Sequence, residues 1–388
     1  MIDKITMQTE FIPFNRPSIS EAECLEVLDT LKSLWLTTGP KTKRFEEEFC
    51  KVTGATTALA LNSCTAGLHL GLKALGVGPG DEVITTPLTF CATANVIEHL
   101  GATTVLADID PKTWLIDPQK IKEKITARTK VLLPVHFAGQ MADMTTINSL
   151  AKEHDLAVLE DCAHCLPNSY EDGRFVGNTE NLCSFSFYAN KNITTGEGGM
   201  LTGPAKLIEH TRALSLHGMD RDAWKRFEKG GSWRYDVAEP GFKYNMTDMQ
   251  AALGLVQLSR MEDLFQSRKD KAHTYQEAFS NLNGLQMPLT NEHSSFHIFP
   301  IVIDPQITGF KRDAFIDALK QANIGTSVHY LPLHYFTYYS KKYGWQPQDF
   351  PHASFIGENC LTLPLYPSLS HEEQTYIIET VVKLLRKA

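Results

Sequence analysis

Between about residue 20 and residue 210, short and nearly continuous apolar runs alternate with segments of helical period. The strand candidates are TTALAL at 56–61, DEVITT at 81–86, TTVLAD at 103–108, KVLLPVHF at 130–137, LAVLED at 156–161, LCSFSFY at 182–188 and GGMLTG at 198–203. An apolar run with little polar alternation suits a strand covered on both faces. The segments between them, such as 65–76, 90–100 and 143–154, carry apolar residues at helical spacing. Alternation of this kind predicts an α/β fold built on a mostly parallel sheet. Ligands of such sheets sit beyond the carboxyl ends of the strands.

From residue 246 to about 281 the pattern turns long and helical, which predicts one helix linking two parts of the chain. The remainder mixes strand candidates SSFHIFPIVI at 294–303 and GTSVHYL at 325–331 with helices near 311–323 and 371–387. The expected division is a large domain over residues 1–255, N-terminal arm included, and a smaller C-terminal α+β domain over 256–388. A chain of 388 residues suits two cores better than one.

Several classes are set aside by what is missing. The formal net charge is -8, and no lysine or arginine run is long enough for a nucleic-acid surface, so no nucleic-acid partner is expected. No stretch of about 18 apolar residues occurs, so no membrane-spanning helix is expected. The first residues lack the cationic and apolar halves of a secretion signal. The eight cysteines are scattered, which fits reduced thiols and a cytoplasmic protein.

Three stretches carry chemistry. LNSCTAGLHLGLKALG at 61–76 follows a strand and opens a helix, with Ser63 and Thr65 where the first helical N–H groups are unpaired. That is either an ordinary N-cap or a seat for a phosphate. LEDCAHC at 159–165 puts Glu160 and Asp161 at a strand's carboxyl end, with His164 three residues on. The carboxylates either meet a ligand or cap the next turn. Cys162 and Cys165 form a C-x-x-C around His164, but no second pair follows to complete a metal site, and no metal is expected. SFSFYANKNITTGEGGM at 184–200 places Lys191 between a strand and the glycines Gly196, Gly198 and Gly199. A lysine in apolar, cationic surroundings loses its proton and attacks a carbonyl, the route to a Schiff base. The glycines permit unusual backbone geometry or close approach.

Taken in order, LNSCTAGLHL, GPGDEVITTPLTFCATAN, LEDCAHCLPNSYEDGRFVGN, CSFSFYANKNITTGEGGM, LHGMDRDAW, PGFKYNMTDMQAALGLVQL, SVHYLPLHY and LPLYPSLS make the chain resemble the DegT/StrS family of sugar aminotransferases. The resemblance runs from about Ile12 to Leu384. It implies the fold of the aspartate-aminotransferase-like pyridoxal-phosphate (PLP) transferases, fold type I. It also implies a homodimer with active sites at the subunit interface. Position by position, it implies that Lys191 carries the cofactor as a Schiff base and that Asp161 pairs with the pyridine nitrogen. His164 takes the place of a residue that hydrogen-bonds the ring's phenolic oxygen, and Phe90 that of a stacking aromatic. Thr65, Ala66 and Ser186 match phosphate contacts. Asn245 matches a residue reaching the phosphate in the neighbouring subunit. Cys64 stands where many members have glycine, a small-residue position.

The activity so implied is transfer of an amino group from an amino acid, L-glutamate by analogy, to a nucleotide-linked keto-sugar. The form KYNMTD, with HGMDRDAW and SVHYLP, most resembles members that aminate carbon 4 of UDP-4-keto-hexoses. His217, Arg221 and His329 are candidate sugar or diphosphate contacts, and the stretch WLTTGP at 35–40 is a candidate to reach the partner's site; each has an equal structural alternative. A PLP-dependent sugar dehydratase shares the fold, but that subgroup replaces the lysine with histidine. A non-catalytic PLP- or sugar-binding regulator is the other alternative.

Overall fold

In the computed structural model, which describes residues 10–219, 235–291 and 293–386, each apolar run before residue 210 becomes a strand of one sheet. In chain order these are β1 (Ala58–Leu61), β2 (Glu82–Thr85), β3 (Thr103–Leu106), β4 (Thr129–Leu133), β5 (Ala157–Asp161), β6 (Leu182–Ser186) and β7 (Gly199–Thr202). Across the sheet they run β1-β7-β6-β5-β4-β2-β3. Strands β2 to β6 pair in parallel, while β7 runs against both β6 and β1.

Apolar side chains leave both faces of this sheet, which is why its strands do not alternate with polar residues. Val131 and Leu133 join Leu68 and Leu72 of helix Cys64–Ala74 on one side. Leu132 between them joins Ile147 and Leu150 of helix Met144–Glu153 on the other. The resulting three-layer arrangement leaves the carboxyl ends of the parallel strands, and the loops that follow them, to build a site.

The second sheet is antiparallel, in the order β10-β9-β8, from β8 (Leu285–Gln286), β9 (Phe299–Ile303) and β10 (Cys360–Leu363). Ile301 and Leu363 pack there with Tyr275 and Phe279 of helix Met261–Phe279, Phe315 of helix Arg312–Gln321 and Ile377 of helix His371–Arg386. No helix among the described residues is long and apolar enough to cross a membrane.

Two expectations are corrected. The helical stretch after residue 246 is two helices, Asp248–Ser259 and Met261–Phe279, meeting at Arg260 (φ -101°, ψ 3°). The first helix packs Ala251, Leu255 and Leu258 with Phe45 and Phe49, and the second begins in that same core with Met261 and Leu264 before Ala272, Tyr275 and Phe279 turn to the second sheet. The Arg260 guanidinium is tied to the Glu23 carboxylate and to Ser18, which fixes the turn between them. The segment 325–331 is not a strand. It makes one bridge, Ser327 to Thr362, and then leaves the sheet, carrying His329 and Tyr330 toward the ends of the large sheet.

Candidate active site

Asp161 is the last residue of β5 and Ser186 the last of β6. Lys191 lies in the loop between β6 and β7, and helix Cys64–Ala74 starts just after β1. These strand ends and the 329–330 segment enclose one cavity of about 510 Å³. Thr65, Phe90, Asp161, His164, Ser186, Lys191 and His329 all line it, so the sequence motifs converge on one place.

The helix start keeps its own cap: the Ala66 N–H donates to Ser63 Oγ at 3.1 Å. The first turn is therefore capped as an ordinary helix start, and Ser63, Cys64 and Thr65 line the cavity, so a capped turn and a phosphate seat are compatible here. At Gly199 the close approach expected of the glycines is to backbone rather than to a ligand. A Cβ added at Gly199 would stand 2.4 Å from the Ser63 carbonyl carbon and 2.6 Å from the Cys64 nitrogen. The glycine lets β7 press on the backbone of the helix start.

The loop around Lys191 is tied at both ends. Phe187 N–H donates to Gly198 O, Thr195 N–H to Phe187 O and Lys191 N–H to Tyr188 O, each at 2.9 Å. Burial pulls the Lys191 amine down from the ordinary lysine value to about 8, against opposing pulls from Cys64 and Asp161. No carboxylate lies within salt-bridge distance of it among the described residues. Burial raises the Asp161 carboxyl, opposed by the Ala163 N–H and the Thr93 hydroxyl. Those donors sit at 3.1 Å from Oδ1 and 2.9 Å from Oδ2. Two ionised carboxylate oxygens accept about four hydrogen bonds, so Asp161 has capacity for a further donor, and a cation there would reverse the effect of burial.

His164 and His329 line the cavity with Lys191, His297 packs on His164, and burial favours the uncharged form of all three. Burial and then Lys191 depress His164 and His297 well below the ordinary value, and the same causes bring His329 down to about 3. The His164 and His297 rings are 4.4 Å apart. His329 Nδ1 is 2.9 Å from Thr362 Oγ1. Tyr330 completes this wall, 6.0 Å from Phe90 and 5.9 Å from His164 between ring centroids. Thr93 and Tyr330 escaped the sequence reading, although both lie inside the motifs TFCATAN and SVHYLP.

Other candidates lie elsewhere. Ala66 sits one residue beyond the cavity lining. Asn245 does not line the cavity; its amide is bonded to Thr38 Oγ1 at 2.7 Å and to Lys243 Nζ at 2.5 Å. His217 is exposed on a turn, its N–H donating to Phe242 O at 2.7 Å. Arg221 is outside the described residues. In the C-x-x-C stretch His164 faces the cavity while Cys162 and Cys165 point into the core. His136, Glu160 and Cys162 bring ligand-type atoms within 4.8 Å of one another. Both His136 nitrogens are used, Nδ1 by the Ala142 N–H and Nε2 by Glu160 Oε2.

The chemistry of the donor set fits PLP. A buried carboxylate with spare acceptor capacity suits a pyridinium nitrogen, an amine of lowered basicity suits an aldehyde carbon, and a helix start beside Ser186 suits a phosphate dianion.

Known proteins with related sequences point the same way. The model of the DegT/DnrJ/EryC1/StrS aminotransferase family matches residues 17–382. The spore coat polysaccharide biosynthesis protein SpsC of Bacillus subtilis is 47% identical over 388 residues, covering 99% of this chain and all of that protein. The structure of the putative sugar aminotransferase Spr1654 from Streptococcus pneumoniae, in its PMP form, superposes with a TM-score of 0.90 at 39% identity, covering 97% of this chain and 99% of the other. Helicobacter pylori PseC, an aminotransferase involved in pseudoaminic acid biosynthesis, superposes with a TM-score of 0.90 at 29% identity, covering 98% and 100%.

Proposed function

Because this chain belongs to the DegT/DnrJ/EryC1/StrS aminotransferase family, the PLP-dependent sugar aminotransferases, we propose that it transfers the amino group of L-glutamate to carbon 4 of a nucleotide-linked, UDP-bearing 4-keto-hexose. The observation that supports the cofactor chemistry of this reading is that Lys191, its basicity lowered by burial, and the Asp161 carboxylate line one cavity.

Bound PLP supplies an electron sink for the charge left when a carbon gives up a proton. The chain's own groups do the rest. Asp161 Oδ1 and Oδ2, fixed by Ala163 and Thr93, hold the ring nitrogen protonated. Thr65, Ala66 and Ser186 hold the phosphate, Phe90 covers the ring, and His164 stands at its edge. Lys191 Nζ is the base. With its proton lost near pH 8, it takes the proton from the donor's α-carbon and returns one to the sugar carbon in the second half-reaction. Glutamate leaves as 2-oxoglutarate, and the keto-sugar leaves as the amino-sugar.

His217, Arg221 and His329 are assigned to the sugar and its diphosphate; Arg221 suits phosphate oxygens through its planar fork. Asn245 is assigned to the cofactor phosphate of the partner in a homodimer, which agrees with its position outside its own chain's cavity. The chain divides into a cofactor-binding part, residues 1–255, and a small part, 256–388, and works in the cytoplasm. The similarity to SpsC favours surface-glycan synthesis as the destination of the product.

The test is direct. Purified protein should show a visible cofactor band that glutamate bleaches with release of 2-oxoglutarate, and Lys191→Ala should lack the band. With glutamate and a panel of UDP- and dTDP-keto-sugars, an amino-sugar should form from a UDP-4-keto-hexose. No amino-sugar from any of them refutes the assignment.

A further inference from the structure

The hydrogen-bond inventory around His164 fixes which nitrogen carries its proton. The Ala138 N–H donates to His164 Nδ1 at 3.3 Å, so Nδ1 is an acceptor and carries no hydrogen. The ring is uncharged, held so by burial and by Lys191. Its one N–H is therefore on Nε2, which stands 2.9 Å from the Tyr330 hydroxyl. That oxygen is thus the acceptor, and the Tyr330 O–H proton is left to point elsewhere. Tyr330 lines the cavity beside Lys191 and Asp161. Burial raises its phenol, with Asp161, Cys91 and Cys64 adding to the effect, so it remains protonated and available as a donor.

We infer that the Tyr330 hydroxyl, rather than the His164 imidazole, donates the hydrogen bond to the cofactor's phenolic oxygen, and that His164 is a positioning residue behind it. The inference rests on the cofactor reading above. In PLP the phenolic oxygen lies on the ring edge between the nitrogen and the carbon bearing the aldehyde. Tyr330 and His164 both line the cavity together with Asp161 and Lys191, the groups that the cofactor reading puts at the two ends of that edge. An O–H that already accepts from an N–H is polarised and is a stronger donor than an isolated phenol. The neutral Nε2–H of His164 cannot serve both Tyr330 and a ligand at full strength.

The experiment is a pH titration of the visible band of the holoenzyme. Without the Tyr330 donor the phenolic oxygen becomes more basic and holds the neighbouring proton more tightly. Tyr330→Phe should therefore bind cofactor and raise the titration midpoint by about one unit. His164→Leu should raise it less, and should add nothing in the Tyr330→Phe background, because coupled residues are non-additive. His164→Gln, which keeps an N–H donor, should stay near wild type. An unchanged midpoint in Tyr330→Phe overturns the inference, whether or not the Leu variant folds. So does a His164 effect of equal size with and without the Tyr330 hydroxyl. Absence of any band in the wild type overturns instead the cofactor reading on which this rests.

Discussion

Replacing Gly199 by alanine tests how the sheet supports the cofactor end of the site. The added Cβ would sit 2.4 Å from the Ser63 carbonyl carbon and 2.6 Å from both Ser63 O and Cys64 N. Ordinary contact starts near 3.4 Å, so two backbones must separate by about 1 Å. Neither is the free end of a side chain: Gly199 is paired with Leu61 and Ser186, and Ser63 caps its helix. Overpacking of this kind costs about 1–3 kcal/mol, which should appear as a lower urea midpoint at unchanged slope. The displaced atoms belong to the turn proposed above to hold the cofactor phosphate. Hydrogen bonds to a charged group contribute about 1.5–3 kcal/mol each, so misplacing one should weaken PLP binding about tenfold. Gly78→Ala is the control, because nothing lies within 4 Å of its added Cβ, and it should change neither quantity. If Gly199→Ala matches that control in both the urea midpoint and the PLP Kd, the close approach of β7 does not position the helix start.

Four other outcomes are expected. Lys191 has its affinity for a proton lowered from 10.5 to about 8, so the unfolded chain binds more protons between those pH values; stability of the cofactor-free protein should rise with pH there, by at most about 3 kcal/mol relative to Lys191→Met, and parallel denaturation curves for the two would contradict the buried amine. Thr93→Val removes one hydroxyl from Asp161 and should lower kcat/KM about tenfold with the fold intact; steady-state rates equal to wild type would show that Asp161 needs no such support. Leu25, Leu28, Leu31, Trp35 and Leu36 are exposed, and Leu34 is 85% exposed, so Leu34→Asp should yield an inactive monomer by light scattering, and Asn245→Ala subunits mixed with Lys191→Ala subunits should regain activity; a fully active monomer would contradict a shared site.

The large sheet was legible because its strands are buried on both faces, and an apolar run such as KVLLPVHF at 130–137 signals itself without any knowledge of its neighbours. The break at Arg260 was not, because helical period continues through it and the turn is fixed by Glu23 and Ser18, more than 230 residues away. The segment 325–331 has strand-forming Val328 and Tyr330 but only one bridging partner, and propensity does not count partners. Asp161 ends a strand, and Thr65 and Lys191 follow one by four and five residues, but their roles could be read only through the ordered motifs that carry the family resemblance. That of Tyr330 could not be read, since its donor role depends on an N–H from Ala138 and on the tautomer that N–H imposes on His164.

The pairing of Ser186 with Gly199 gives the β6–β7 connection closed ends, and its inner ties to Phe187 and Tyr188 hold the middle. The α-carbon of Lys191 is therefore a stationary pivot, and the amine travels only as far as four methylenes allow. Rotation about such bonds takes picoseconds to nanoseconds in exposed side chains, many orders of magnitude faster than an ordinary turnover, which leaves a wide margin for slower rotation inside the cavity. Relocating the proton carrier then sets no clock for the enzyme. The slow step falls to the chemistry itself or to the arrival and departure of the two substrates, and changes in loop stiffness at 187–198 should leave kcat untouched so long as the pivot stays in place.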